Sequence, residues 1–406
     1  MMKACVFLSL LAILLFSGNG ILAQSGPKHN KVVTCYVASW ATYRRGNGKF
    51  DIPNIEPELC THLIYTFAGL DSTTWTIKSL DPYLDVTKEN YKKMTSLRGQ
   101  YPHLNILLSI GGYNEGSKKY SDLVSSPIRR STFIRSVIDF LKAYNFTGFD
   151  ISWEYPGSRG GSALDKQNFV RLLKELKEAF QESNYLLTAA LGVGPDTIDA
   201  GYDIPELSKY LDYIHLMAYD YHGSWDRKVL PNSPLRGGDN LDVVDTLNYY
   251  LSRGAAANKL VLGLPSYGRT FILTNALNSP EESPMNRTIV GNGFQGPYTL
   301  QDGFMGYNEI CEELVDYGGS WVHGWDYGST TPYIVDEEFV IVYDNPRSLK
   351  EKVEYAMSLN LAGVMVWSID TDDFSGRCAS LQDSLDPTSG RYPLLRSINV
   401  VLSEKN

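Results

Sequence analysis

Three polar side chains alternate within the segment TGFDISWEYP at residues 147–156: Asp150, Ser152 and Glu154. The positions between them are apolar, and this period of two predicts a β-strand with one polar face. A strand covered by helices is normally apolar on both faces, so two carboxylates and a hydroxyl on one face are costly unless they are used. A carboxyl group at such a position is a candidate general acid or base.

The residues around this strand predict where its polar face lies. Gly148 precedes it and the sequence Tyr155-Pro156-Gly157 ends it sharply, which leaves Glu154 at the carboxyl end. In a parallel barrel, that end carries the chemistry. The alternative interpretation is a polar network that closes the barrel mouth without catalysis.

Eight segments with β-branched and aromatic residues alternate with amphipathic helical segments along the chain. This alternation predicts an α/β fold, a (β/α)8 TIM barrel, formed by residues 31–268 and 346–406. We predict strands at 32–39, 62–68, 105–110, 148–154, 186–191, 213–218, 260–264 and 363–367, and helices at 89–101, 128–144, 166–183, 243–253 and 348–359. Residues 269–345 are too many for one connection and contain a predicted helix at 307–317. We expect them to form a small α+β insertion domain that makes one wall of a cleft.

The composition and the first 23 residues limit the class of protein. A formal net charge of −9 over 406 residues, without a basic run, argues against nucleic acid and an anionic membrane as partners. Residues 1–23 have the pattern of a secretory signal peptide, followed by a short linker at 24–30. No later stretch approaches the roughly 20 apolar residues of a membrane span. We therefore expect a secreted, extracellular monomer.

Four cysteines remain after the predicted signal peptide, Cys35, Cys60, Cys311 and Cys378, and predict two disulfides, with three possible pairings. Six scattered histidines lack metal-ligand spacing, so we expect no metal and no cofactor. Asn145 and Asn286 lie in glycosylation sequons. Asn286 lies in a predicted loop, whereas Asn145 lies so close to the strand at 148–154 that its occupancy is open.

The strand ends carry a set of motifs in barrel order. They are SIGG at 109–112, the segment at 147–156, MAYDYHGSW at 217–225, GLPSYGR at 263–269 and GVMVW at 363–367. Together they resemble glycoside hydrolase family 18, the chitinases and chitinase-like lectins, over almost the whole mature chain. The family pattern D-G-x-D-x-D-W-E is changed twice, because Thr147 replaces the first Asp and Ser152 replaces the Asp beside the catalytic acid. The resemblance favours the disulfides Cys35–Cys60 and Cys311–Cys378.

The resemblance implies a role for each candidate site residue. Glu154 resembles the acid that protonates the leaving oxygen while the substrate's own N-acetyl group attacks, and Asp150 the buried charge behind it. Tyr219 and Asp220 resemble residues that orient the acetylated sugar, and Trp367 the floor on which it stacks. Further substrate contacts are implied for Trp40, Tyr113 and Met217. Tyr113 stands where the family often has Trp, and Arg269 is equally well explained as a structural ion-pair partner.

Ser152 divides the functional hypotheses. A neutral hydroxyl cannot offset the positive charge of the transition state, and loss of one preorganised electrostatic group costs about 10²–10³ in rate. The preferred hypothesis is a chitinase-like protein that binds chitin or N-acetylglucosamine oligomers and hydrolyses them weakly or not at all. The alternative is an active endochitinase with Glu154 as acid, helped by Asp150 through the Ser152 hydroxyl or a water.

Overall fold

The computed structural model describes residues 25–279, 281–380 and 390–405. The predicted signal peptide lies outside the described residues. Strands and helices are numbered along the chain. Eight parallel strands form the barrel: β1 (Val32–Ala38), β2 (His62–Asp71), β4 (Asn105–Gly111), β5 (Gly148–Ser152), β6 (Leu186–Leu191), β7 (Tyr213–Leu216), β8 (Leu260–Pro265) and β15 (Gly363–Trp367).

The barrel is closed because β1 pairs with both β2 and β15. Its neighbours follow the order β1, β15, β8, β7, β6, β5, β4 and β2, and β3 (Thr76–Ser79) adds an antiparallel hairpin partner to β2. The (β/α)8 TIM barrel prediction is therefore confirmed. The register aligns Ser109 of β4, Asp150 of β5 and Thr188 of β6 at one level. Side chains from three strands thereby meet inside the barrel.

Some of the helices begin at a residue whose side chain accepts a hydrogen bond from a free backbone amide. Asp242 accepts from the Asp245 amide at 2.7 Å and Asn345 from the Ser348 amide at 3.0 Å, each as an N-cap. The ten helices of the described residues are α1 (Asn90–Ser96), α2 (Lys118–Val124), α3 (Pro127–Tyr144), α4 (Asp165–Phe180), α5 (Pro195–Gly201), α6 (Ile204–Tyr210), α7 (Val243–Ser252), α8 (Tyr307–Tyr317), α9 (Pro346–Ser358) and α10 (Pro393–Glu404).

Between β8 and β15 the chain forms a second, antiparallel sheet beside the barrel. Its six strands are β9 (Tyr267–Leu273), β10 (Ile289–Val290), β11 (Met305–Gly306), β12 (Val322–Asp326), β13 (Thr331–Asp336) and β14 (Phe339–Val342), with α8 between β11 and β12. The first of these strands begins at Tyr267, so the chain enters the second sheet directly after β8. A division into a barrel and an insertion domain at 269–345 stays a prediction.

Several predicted boundaries differ from the structure by one to a few residues. The strand predicted at 148–154 ends at Ser152, so Glu154 follows β5 instead of lying in it. The Ser152 carbonyl still accepts from the Gly112 amide at 2.8 Å, and the chain leaves the sheet beyond this bond. The strand predicted at 62–68 continues to Asp71 because it pairs with β3.

Two disulfides connect the cysteine pairs that the family resemblance favours. Cys35 and Cys60 have Cα atoms 6.1 Å apart, and Cys311 and Cys378 have Cα atoms 5.1 Å apart. Across the described parts of the chain, none of the helices combines the length and the apolar character that crossing a membrane requires.

Candidate active site

A cleft of about 1470 Å³ lies at the carboxyl ends of the barrel strands. The structure places almost every candidate site residue on its surface: Trp40, Tyr113, Ser152, Glu154, Met217, Tyr219, Asp220, Arg269 and Trp367. Asp150 lies below the cleft floor and is fully buried. The roles of these residues in sugar binding remain predictions.

Asp150 is held by hydroxyl groups from three other barrel strands, β1, β4 and β6. Its Oδ1 accepts from Thr188 Oγ1 at 2.6 Å, and its Oδ2 accepts from Ser109 Oγ at 2.7 Å and from Tyr36 Oη at 3.1 Å. His215 Nδ1 lies 3.4 Å from Oδ1. Burial alone raises the pKa of Asp150, but the hydrogen bond and charge of His215 and the hydroxyl donors outweigh it, so the pKa is lowered below its ordinary value. Asp150 is therefore a stable buried carboxylate.

Ser152 lies two residues further along the same face and is also buried. Its Oγ is 3.3 Å from Ser109 Oγ and 3.5 Å from Asp150 Oδ2. The Ser152 hydroxyl thus extends the group of polar side chains formed by Asp150 and Ser109, and we call these three residues the polar column. Ser152 brings no negative charge to the level between Asp150 and Glu154.

Glu154 lies in the cleft directly after β5. Burial raises its pKa to about 7, although Tyr155 and Arg159 act in the opposite direction, and the nearby Asp220 raises it further. A carboxyl group with this pKa carries its proton through a large part of the neutral pH range. Glu154 can therefore donate a proton to a bound ligand.

Thr147, the second departure from the family pattern, has a structural place outside the polar column. Its Oγ1 accepts from the Ile106 amide at 2.8 Å and donates to the Ile106 carbonyl at 3.2 Å. These bonds attach the start of β5 to β4. Asn145 of the same sequon is exposed at the end of α3, and Asn286 is exposed as well.

The opposite side of the cleft is organised around Asp220. Its backbone is in the left-handed region at φ 56°, and its amide donates to Asn232 Oδ1 at 2.9 Å. Asp220 Oδ1 accepts from Tyr267 Oη at 2.6 Å and from Arg269 Nη2 at 2.5 Å. Arg269 therefore makes an ion pair, and it does so at the cleft surface.

Tyr219 presents its ring beside this pair. The ring meets that of Tyr267 edge to face, with centroids 6.1 Å apart, and its Oη lies 3.9 Å from Met365 Sδ. Burial raises the pKa of Tyr219, so its hydroxyl keeps its proton and is a donor. An acetamide oxygen would be a suitable acceptor for it.

Aromatic rings form the floor of the cleft at the end of β15. Trp367 stacks on Phe67 with centroids 5.9 Å apart, and Phe67 stacks on Trp40 with centroids 5.8 Å apart. Pyranose rings bind to such faces through dispersion and C–H contacts. The floor thus extends from Trp367 toward the first strand.

Tyr113 lies at the rim and is fixed by an arginine. The Arg159 guanidinium stacks over the Tyr113 ring at 3.8 Å, and its Nη1 donates to the backbone carbonyls of Tyr113 and Glu154 at 3.0 Å each. The ring and the acid are thereby connected through one side chain.

One group of potential metal ligands occurs among the described residues, Cys311, Asp373 and Cys378. Both sulfurs belong to a disulfide, so they are not available to an ion. The structure gives no reason to assign a metal to the cleft.

Sequence reasoning missed several contributors to the site. Phe67, Arg159 and Phe304 line the site or support it, and Thr188 and His215 contact Asp150. Phe67 lies near the carboxyl end of the predicted strand at 62–68. Tyr267, which was also missed, lies within the GLPSYGR motif at 263–269. Position near a strand end or within a motif was therefore the available signal for these two. Thr188 and His215 resemble ordinary polar residues of a strand, and only the barrel register brings them to Asp150.

An acid with a raised pKa beside stacked aromatic rings, at the carboxyl end of a closed barrel, is typical of carbohydrate-active barrels. The match to the family model of the glycosyl hydrolases family 18 covers residues 32–372. The chain belongs to this family, and the resemblance found in the sequence is confirmed.

The relatives of the chain include both enzymes and a binding protein. Probable chitinase 2 of Drosophila melanogaster is 47% identical, and the match covers 93% of this chain and 82% of that protein. The crystal structure of a Group IV chitinase of Ostrinia furnacalis has a TM-score of 0.86 and 41% identity, with 92% and 100% of the two chains covered. Human YKL-39, described as a pseudo-chitinase with retained chitooligosaccharide binding properties, has a TM-score of 0.81 and 35% identity, with 92% and 99% covered.

Proposed function

We propose that this protein binds chitin oligomers in its barrel cleft and hydrolyses them weakly or not at all. The observation that carries the proposal is the neutral Ser152 between the buried carboxylate of Asp150 and the acid Glu154. The Ser152 hydroxyl contacts Ser109 and Asp150. Because a hydroxyl is neutral, it supplies no charge to a cationic sugar intermediate.

The sugar-holding side of the cleft supports the binding half of the proposal. Asp220 is fixed by Tyr267 and Arg269, and Trp367 offers an aromatic floor. None of these contacts involves Ser152. Ground-state contacts to an acetylated sugar are therefore independent of the lost charge, whereas transition-state stabilisation depends on it.

A second candidate function is favoured by Glu154. Its pKa of about 7 and the complete hydrogen-bond set of Asp150 are what a working proton donor needs. On this alternative the protein is an endochitinase that cleaves β-1,4 N-acetylglucosamine linkages by substrate-assisted, retaining hydrolysis with reduced turnover.

The proposal includes secretion as a monomer. Secretion is supported by the signal-like sequence at 1–23 and by two disulfides, which form and persist in oxidising compartments.

The deciding experiment compares Ser152→Asp with Ser152→Asn on a fluorogenic chito-oligomer. The Asn variant has nearly the volume of Asp without its charge, so it separates shape from electrostatics. We expect Ser152→Asp to raise kcat by about 10²–10³ and Ser152→Asn to change it by less than about threefold. The affinity for N,N′,N″-triacetylchitotriose, measured by calorimetry, should stay within about threefold in both variants.

Rapid turnover by the unaltered protein that Glu154→Gln abolishes would overturn the proposal in favour of the endochitinase. Absence of any chitotriose binding by the unaltered protein would overturn both candidate functions.

A further inference from the structure

A buried serine hydroxyl contacts the residues on both sides of Glu154. Ser117 Oγ accepts a hydrogen bond from Trp153 Nε1 at 2.7 Å and donates one to the Tyr155 carbonyl oxygen at 2.7 Å. Ser117 is 1% exposed and does not line the cleft, so water does not compete for either bond. One hydroxyl group behind the cleft surface therefore holds the residue before the candidate acid and the residue after it.

Ser117 stands at a position where serine usually has another task. It is the N-cap residue of α2, and a serine oxygen at an N-cap typically accepts from a free amide of the first helical turn. Among the described residues, the Ser117 side chain makes no such capping bond. The hydroxyl is used for Trp153 and Tyr155 instead. The start of α2 thus forgoes a stabilising contact, and the segment around Glu154 receives it.

A second hydroxyl of α2 supports the same segment between β5 and α4. Ser121 follows Ser117 by four residues, so both lie on one face of the helix. Ser121 Oγ donates to Asp165 Oδ1 at 2.6 Å, and Asp165 Oδ2 accepts from the Gly157 amide at 3.1 Å. Ser121 therefore acts on the far end of the segment through a carboxylate, whereas Ser117 contacts the neighbours of Glu154 directly.

The position of the Glu154 carboxyl group determines its affinity for a proton. Burial is the largest cause of its raised pKa, so a small movement toward water would remove part of the effect. The same movement would change its distance from the oxygen that it protonates. The charged and titratable groups that face it are Tyr155, Arg159, Tyr202, Tyr219 and Asp220.

We propose that Ser117 is a positioning residue for Glu154, which fixes the place and the burial of the acid by holding Trp153 and Tyr155. This inference rests on the proposed function, in which Glu154 supplies the proton for the hydrolysis that remains. The residues proposed to hold the sugar, such as Asp220 and Trp367, follow other barrel strands. Loss of the Ser117 hydroxyl should therefore change the acid and leave the affinity for the sugar unaltered.

The test is a carbon-13 NMR titration of the full mature chain with labelled glutamate, in which Glu154→Gln identifies the Glu154 signal. We expect Ser117→Ala to lower the pKa of Glu154 by about one pH unit, because the loosened segment admits water, and Ser117→Thr, which keeps the hydroxyl, to change it by less than about 0.3. The matched control is Ser136→Ala. Ser136 Oγ likewise accepts one bond, from the Ile77 amide, and donates one, to the Phe133 carbonyl, and its loss should leave the pKa unchanged.

A kinetic measurement separates positioning from sugar binding. Ser117→Ala added to Ser152→Asp should lower kcat on a fluorogenic chito-oligomer by about tenfold and leave KM within about twofold. Calorimetry with triacetylchitotriose should give affinities within about twofold for Ser117→Ala and the unaltered protein.

An unchanged or higher pKa of Glu154 in Ser117→Ala would overturn the inference, and so would an equal decrease in Ser117→Thr or Ser136→Ala. An equal loss of trisaccharide affinity would make Ser117 a general structural residue of the cleft and would also overturn it. If Ser117→Ala does not fold, Trp153→Phe replaces it in the titration, since it removes one of the two bonds and keeps an aromatic ring. Failure of the unaltered protein to bind the trisaccharide would instead reject the proposed function, and the titration would still decide the role of Ser117.

Discussion

The two sides of the cleft hold their carboxylates in different ways. On the side of β5, Asp150 is fully buried below the floor and Ser152 leaves the level above it uncharged. On the other side, Asp220 stays at the surface and is paired with Arg269. On our proposal, the uncharged level on the side of β5 weakens hydrolysis, and the paired Asp220 on the other side helps to hold a neutral sugar. The difference suggests that binding and hydrolysis can be separated in this barrel.

Asp150 and Glu154 show the same contrast within one segment. Burial tends to raise the pKa of both, but Asp150 has His215 and several hydroxyl donors, which lower its pKa below the ordinary value. Glu154 lacks a comparable set, and its pKa rises to about 7. Two carboxyl groups whose pKa values are pushed apart are suited to different roles. On our proposal, Asp150 supplies a buried charge and Glu154 a proton.

The largest effect on sugar affinity should come from the aromatic floor. Trp367→Ala removes the ring that stacks on Phe67 and faces the cleft, so we expect the affinity for triacetylchitotriose to fall by about 10- to 100-fold. Trp325→Ala is the matched control, since Trp325 stacks with Arg347 outside the cleft. Calorimetry checks both variants. A loss below twofold for Trp367→Ala would place the sugar elsewhere and remove the contrast between the two sides.

A smaller effect should appear in the pH dependence of stability. The ordinary pKa of a glutamate side chain is 4.5, and that of Glu154 in the folded protein is about 7, so folding disfavours its ionisation. The stability contribution of the protonated group is complete below about 4.5 and is lost as the pH rises through about 7. Glu154→Gln cannot ionise, so its unfolding midpoint relative to the unaltered protein should be higher at pH 8 than at pH 5.

Denaturant unfolding at both pH values measures this difference, and the control is Glu337→Gln, at an exposed glutamate of the β13–β14 turn. An equal shift at the two pH values for Glu154→Gln would show that Glu154 ionises freely and would remove its contrast with Asp150.

The sequence predicted the barrel well because local patterns determine its elements. The burial of every residue in β1 and β8 follows from their apolar runs, and α8 has the predicted bounds, Tyr307–Tyr317. The site could be predicted only where its residues lie within recognisable motifs. The motif positions of Glu154, Tyr219 and Trp367 indicated strand ends, and the structure brings these residues to one cleft.

The environment of Asp150 could not be predicted from local patterns. Its partners Ser109, Thr188 and His215 come from three different strands, and their approach depends on the barrel register. The same holds for Arg159, whose contact with Tyr113 crosses two loops. Long-range contacts of this kind leave no periodic signal in the sequence.

The smallest expected effects come from Thr147, which we compare with Ser152, the other departure from the family motif. Thr147 bonds to the backbone of β4, whereas Ser152 joins the polar column, so we expect only the second to affect chemistry. Thr147→Val removes both bonds of Oγ1 to Ile106 and should cost about 1 kcal/mol of unfolding free energy in denaturant titrations. Thr147→Ser, which keeps the hydroxyl, should cost less.

The double variant Thr147→Asp/Ser152→Asp should have a kcat within about twofold of that of Ser152→Asp alone. The reason is that the side chain at position 147 contacts the β4 backbone, away from Glu154. A further tenfold gain would mean that both departures weaken catalysis and that the structural reading of Thr147 is wrong.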